Sequence, residues 1–212
     1  MNAAELVTAV TRRDVLKLGS AAAAVGLVGA PLPIEAQAPK KGGILKVRHH
    51  VQPVHFDPHQ TIAFPTMMAL SYCMSRLVKV KAGPAVVPGT QPIEPDLAES
   101  WTQTSETSYV FKLRKGVRWH SKPPVNGREL TADDVKYTYE RFLTIKGNGN
   151  RYLLEAVEKV DAVDKYTVRF TLKEPNAWFI DQLASTATWI VAKECVEKFG
   201  DLKAAEIGRA HV

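Results

Sequence analysis

Between Ser108 and Phe142 the apolar residues change period, and this limits what the chain can fold into more than any other feature. Tyr109, Phe111 and Leu113 recur at every second position, flanked by Ser108, Lys112 and Arg114, which gives a strand one apolar face. Val135, Tyr139 and Phe142 follow at i, i+4 and i+7, which lines one face of a helix. Between the two, Gly116 breaks the strand, Arg118-Trp119-His120 is positioned to resume it, and Asn126-Gly127 is a turn signal. Thr131 opens Thr-Ala-Asp-Asp, a helix N-cap with an acidic residue three positions on. Residues 98–141 therefore predict a strand–turn–helix module of the α/β or α+β kind, with no chemistry of its own.

A second alternation lies downstream. Residues 157–163 form one predicted arm, Asp164-Lys165 the turn, and Tyr166, Val168, Phe170 and Leu172 alternate with Thr167, Arg169 and Thr171, as in a half-buried antiparallel strand. Around these, a short first strand is expected at 44–48, with Leu45 and Val47 on one side, followed by a loop from His49 to His59. A helix is expected at 66–77, with Met67, Leu70, Met74 and Leu77 sharing a face and Thr66 as cap. The Pro- and Gly-rich segment 82–95 reads as an exposed excursion and 146–150 as a turn cluster. A short helix at 176–183, a brief buried strand at Trp189-Ile190-Val191 and a helix at 193–199 ended by Gly200 complete the series. Trp101, Trp178 and Trp189 read as core residues.

At 212 residues there is room for one domain or for a piece of something larger. Hydrophobic and charged contents of 45% and 24% lie in the globular range. The net charge of +6 comes from basic residues scattered among acidic ones; a nucleic-acid footprint needs them clustered, so no nucleic-acid partner is expected. Cys73 and Cys195 fit no metal spacing. One disulfide and two ordinary thiols both remain open, with Cys73 set in an apolar helical pattern.

Arg12-Arg13 precede a charge-free run from Leu18 to Ile34 that is rich in Ala and Gly and interrupted by Pro31 and Pro33. A membrane span needs about 20 strongly apolar residues, and this run is weaker than that. Ala36-Gln37-Ala38 offers small residues for cleavage, with Pro39 pushing the cut a few positions away. The arrangement resembles a twin-arginine translocation signal, with Val15 where that pattern prefers Phe. The resemblance implies an export signal over residues 1–38, a twin-arginine translocase as partner during export, and a periplasmic destination. No cysteine near the cleavage region supports a lipid anchor. Residues 206–212 continue no pattern in the chain; they read like a translated sequencing-adapter oligonucleotide and are expected to be non-native.

Further resemblance lies in the order of motifs. Gly42-Gly43-Ile44-Leu45-Lys46-Val47, then Phe56-Asp57-Pro58, then Pro95-Asp96-Leu97-Ala98-Glu99-Ser100-Trp101, then Tyr109 through Arg141 together resemble the extracellular solute-binding proteins of family 5. These are the oligopeptide-, dipeptide- and nickel-binding components of bacterial ABC importers. Ser121-Lys122-Pro123-Pro124-Val125 replaces a shorter family turn, and Thr138 stands where Ser is common. The resemblance runs from about Gly42 to Ala205, and family members are considerably longer. It implies an α/β, type II periplasmic-binding-protein fold, in which two lobes close on a ligand by hinge motion. Residues 39–205 would supply the first part of lobe I with its small subdomain. The implied function is capture of a peptide or similar small solute for an ABC permease, without catalysis or cofactor. His55, Phe56, Asp57 and Pro58 fall where family members bring chain to the cleft and are the implied ligand-binding residues. Alanine at Asp57 is then expected to weaken binding with little change in melting temperature.

Two other functions compete. His49, His50, His55 and His59 invite a metal reading, since imidazole is the commonest ligand for nickel or zinc, and a nickel or metal-chelate carrier of the same fold follows. The plainer reading is a polar loop, because the spacing matches no compact ligand pair and Asp57 is the one nearby carboxylate; no metal ligand is assigned. An exported enzyme is the third reading, but no Ser/His/Asp order, phosphate loop or cofactor fingerprint is present. Asp133-Asp134 are accounted for as first-turn acids at a helix N-terminus, and Arg118-Trp119-His120 as scaffold.

Overall fold

A computed structural model describes Ile44, residues 46–48 and residues 51–203. The expected export signal with Arg12 and Arg13, Leu45, His49, His50 and the adapter-like tail lie outside the described residues. Ile44 and Val47 are exposed and belong to no strand, so the first strand expected at 44–48 is absent from its described residues.

The central element is an antiparallel sheet of four strands: β3 (Ala98–Ser105), β4 (Ser108–Leu113), β5 (Val157–Asp164) and β6 (Thr167–Leu172), in the order β3-β4-β6-β5. β4 carries the expected alternation, with Tyr109, Phe111 and Leu113 buried and Lys112 outside. It pairs β6 with Phe111 opposite Val168 and Tyr109 opposite Phe170. β3 was not expected. Its one large apolar residue, Trp101, is half-buried and stacks on Phe111 at 6.4 Å; apart from the buried Ala98 the rest is polar, which suits an exposed sheet edge and erases the period that would announce a strand.

The helix α2 (Ala132–Thr144) lies on the apolar face and buries Val135, Tyr139 and Phe142 completely. Tyr139 meets Phe170 edge-on at 5.1 Å, and Phe170 meets Phe111 at 5.4 Å, the geometry that the aromatic quadrupole favours. Burying each of these rings is worth about 2 kcal/mol. Asp134 accepts the Thr131 N–H at 3.0 Å, which satisfies one of the otherwise unpaired donors at the helix start. Ahead of it, Asn126 and Gly127 both take positive φ, 50° and 71°, as a tight turn of this type requires. A Cβ on Gly127 would sit 2.9 Å from the Ser121 hydroxyl.

Smaller elements frame this layer. α1 (Phe64–Ser71) begins and ends earlier than the predicted helix, because Pro65 fits its first turn and the chain leaves helical geometry at Cys73. Thr66 is not its cap: Ala63 holds that position, and the Thr66 hydroxyl donates instead to the His55 carbonyl at 2.9 Å. β1 (Val78–Val80) and β2 (Ile93–Pro95) pair as a short hairpin across the exposed 82–92 excursion; three residues each are too few for a period to show. α3 (Phe179–Leu183) buries Phe179 and Leu183. Trp178, expected in the core, sits at its N-cap and is 71% exposed. Trp189-Ile190-Val191 is buried as expected but forms no strand; Ile190 donates singly to the Ser75 carbonyl at 2.9 Å. α4 (Lys193–Phe199) ends at Gly200 with φ 78°. Among the described residues no helix is long and apolar enough to cross a membrane.

Candidate functional site

The loop that was expected to reach a ligand is folded inward at its centre. His55 and Phe56 are half-buried, while Asp57, Pro58 and His59 are buried. The Asp57 carboxylate faces Arg141 of α2: Oδ1 accepts from Nη1 at 3.1 Å and Oδ2 from Nη2 at 2.5 Å. The same oxygens accept backbone N–H groups of His59 at 2.9 Å and Leu202 at 3.2 Å. Every acceptor direction of the carboxylate is therefore spent within the protein. Among the described residues, then, the Asp57 side chain is fully buried and its acceptors are engaged by Arg141, His59 and Leu202.

His59 completes the cluster. Its Nδ1 accepts from Arg141 Nη1 at 2.7 Å, and so its Nε2 carries the proton and donates to the Trp189 carbonyl at 3.1 Å. Burial, followed by the neighbouring guanidinium charge, pushes the imidazole pKa down from 6.5 to about 4. Burial also disfavours the charged form of Asp57, but the Arg141 hydrogen bonds and charge outweigh it and hold the carboxyl below its ordinary value. Both ring nitrogens of His59 are thus committed, and the His55 Nδ1 accepts the Asp57 N–H at 3.2 Å. Among the described residues no three His, Cys, Asp or Glu side chains come together as a metal site. The four-histidine metal reading loses His59 on this geometry.

Arg141 belongs to a second stripe on α2 that the sequence reading passed over. Asp134, Thr138 and Arg141, spaced i, i+4 and i+7, are all buried although polar; Thr138 and Arg141 tie the helix to chain far away in sequence, and Asp134 does so through Arg128, which it shares with Glu194. Asp134 and Glu194 of α4 clasp Arg128 from two sides, with Arg128 Nη1 2.7 Å from Asp134 Oδ2 and Nη2 2.7 Å from Glu194 Oε2. The Thr138 hydroxyl lies 2.7 Å from the Asp134 carbonyl and 3.1 Å from the Val191 carbonyl, and it accepts the Val191 N–H at 3.1 Å. The signal for this stripe was the i, i+4, i+7 spacing of polar residues beside the apolar one. Asp134 thus does more than cap the helix. Trp119, buried between Arg128 and α2, is scaffold as expected.

The chain matches the model of the bacterial extracellular solute-binding proteins, family 5 Middle, over residues 92–208, more than half its length. It belongs to that family of solute-binding proteins. It is 34% identical over 157 residues to the dipeptide-binding protein of Escherichia coli, a match covering 67% of this chain and 28% of that protein. It is 32% identical over 167 residues to di/tripeptide-binding protein 2 of Pseudomonas aeruginosa, covering 71% of this chain and 30% of that one. Among solved structures, the periplasmic binding protein DppA of Helicobacter pylori in complex with peptide STSA superposes with TM-score 0.59 at 28% identity, over 70% of this chain and 31% of that one. AgaA of A. tumefacien in complex with agropinic acid superposes with TM-score 0.62 at 26% identity, over 73% and 29%. The fold is accordingly that of part of a periplasmic binding protein, and the chain spans less than a third of the length of these relatives.

Proposed function

We propose that the full-length protein is the periplasmic receptor of an ABC importer, which captures a peptide or another small carboxylate-bearing solute and delivers it to a membrane permease. Family membership carries this reading, and the named ligands of the relatives agree on chemistry: dipeptides, the peptide STSA and agropinic acid all bear carboxylates. Affinity in such a receptor comes from enclosing the solute in a largely pre-formed cleft with a few placed polar groups. Within the described loop, His55 and Phe56 remain the candidates to face that cleft, while Asp57 and Pro58 anchor them from behind. Export through the twin-arginine route by way of Arg12 and Arg13 is part of the same proposal.

Calorimetric titration of the full-length protein with a dipeptide panel, beside nickel and nickel chelates, tests the reading. Saturable binding of peptides without turnover supports it. Nickel binding with no peptide binding would replace it by the carrier of the same fold, and hydrolysis of any peptide would favour an exported enzyme.

A further inference from the structure

A depression of about 290 Å³ is lined by Tyr72, Ser75, Arg76, Lys79, Asp96 and Trp189, among others. This volume holds an end group rather than a whole drug-sized solute. The Arg76 guanidinium lies over the Trp189 ring, 4.5 Å from its centroid, the placement that favours a cation on an aromatic face. Trp189 is 3% exposed, and its indole Nε1 has no hydrogen-bond partner. Arg76 Nε and Nη1 are also buried without one. Native proteins leave few such groups, and each costs about 1–3 kcal/mol unless something satisfies it.

All three orphaned atoms at this depression are N–H donors, so the missing partner is an acceptor. Asp96 does not fill the role: its Oδ2 accepts the backbone N–H of Arg76 at 3.1 Å, and its Oδ1 lies 4.0 Å from Lys79 Nζ. Burial weighs against the guanidinium charge, with Asp96 offsetting part of that penalty. Lys79 Nζ also lies 3.6 Å from Glu94 Oε1, so the donors left in place at the depression are those of Arg76 and Trp189.

Building on the receptor role proposed above, we propose that Arg76 and Trp189 form the subsite that receives a carboxylate of the transported solute. A carboxylate has acceptor capacity for the indole N–H and for the planar arginine fork together. The ring beneath holds the guanidinium in plane, so little freedom is lost on binding. Arg76 is in this view a specificity-determining residue that distinguishes acids from their neutral amides.

The test is calorimetry on the full-length protein with alanyl-alanine, alanyl-glutamate and the C-terminal amide of each. The wild type is expected to bind an acid about 10- to 100-fold more tightly than the matching amide, as loss of a charge-assisted hydrogen bond predicts. Arg76→Gln should lower affinity for the acid by a similar factor and leave the amide unchanged, and Arg76→Lys should restore part of the difference. Trp189→Phe, which keeps the ring and deletes the N–H, supplies an independent loss of discrimination should Arg76→Gln fail to fold. Full discrimination retained in both Arg76→Gln and Trp189→Phe, or no discrimination in the wild type, overturns the subsite while leaving the receptor reading intact. Failure of the wild type to bind any of the four peptides overturns the peptide-receptor reading, and the subsite with it.

Discussion

Asp57, Arg141 and His59 form a closed exchange of hydrogen bonds in which one guanidinium satisfies a carboxylate and an imidazole at once. A buried ion pair is costly to break, because the partner left behind is an uncompensated charge. Asp57→Ala is therefore expected to destabilise the full-length protein by about 3–5 kcal/mol, read as a lower urea midpoint; an unchanged midpoint would place the carboxylate in contact with solvent or solute instead. The acid response has a definite sign. His59 titrates near 6.5 when unfolded and at about 4 when folded. Between those values the unfolded chain binds the proton and the folded one does not, so stability is complete above pH 6.5 and declines as pH falls toward 4. The loss amounts to about 3 kcal/mol across that window, and Asp57, held below its ordinary value by Arg141, extends the decline at lower pH. The physical cause is burial of the imidazole, followed by the charge of the Arg141 guanidinium beside it. Urea unfolding at about pH 7 and pH 4.5 measures the slope, and His59→Gln should flatten it.

At the scale of elements, the periodic parts of the chain were legible and the tethers between them were not. β4, β6 and α2 declare themselves because each buries one face against the same core, and a half-buried element must repeat at its own period. β3 hides because its surface is polar apart from Trp101, and β1 and β2 hide because they are short. Trp178 misled because an aromatic residue beside Phe179 looks apolar in sequence, yet it stands outside the helix, at its N-cap, and is exposed. The polar stripe of α2 was open to view as Asp134, Thr138 and Arg141, but two of the three have partners far off along the chain: Arg141 meets Asp57 across 84 residues, and Thr138 meets Val191 across 53. No local pattern announces such a pair. Thr138→Val keeps the shape and removes the hydroxyl, which leaves the Val191 N–H without its partner. The expected cost is about 1–3 kcal/mol, while Thr138→Ser should recover most of it; equal stability of the two variants would show that the hydroxyl contributes little.

Across the whole molecule, the candidate loop and the C-terminal part of the described chain are fastened to one another through α2 rather than to the sheet alone. Asp57 accepts from Leu202, 145 residues away, and His59 donates to Trp189, 130 residues away, with Arg141 holding both acidic and basic partners. The loop of His55 and Phe56 and the Arg76–Trp189 depression therefore share one support. Motif order in the sequence located this loop but not the burial of its centre, since residues that fix a site and residues that line it can share the same short stretch. The connection predicts a coupled response to Arg141→Met. That substitution strands the Asp57 carboxylate and releases His59, so amide exchange should quicken together in residues 55–66 and 188–202. The sheet strands β4 and β6 should keep their protection, because their cover is the apolar stripe of Val135, Tyr139 and Phe142. Hydrogen exchange read by mass spectrometry resolves these segments, since local opening reports each unit by its own free energy. Loss of protection in one of the two segments without the other would show that Arg141 serves a single contact and that the two candidate surfaces are held independently.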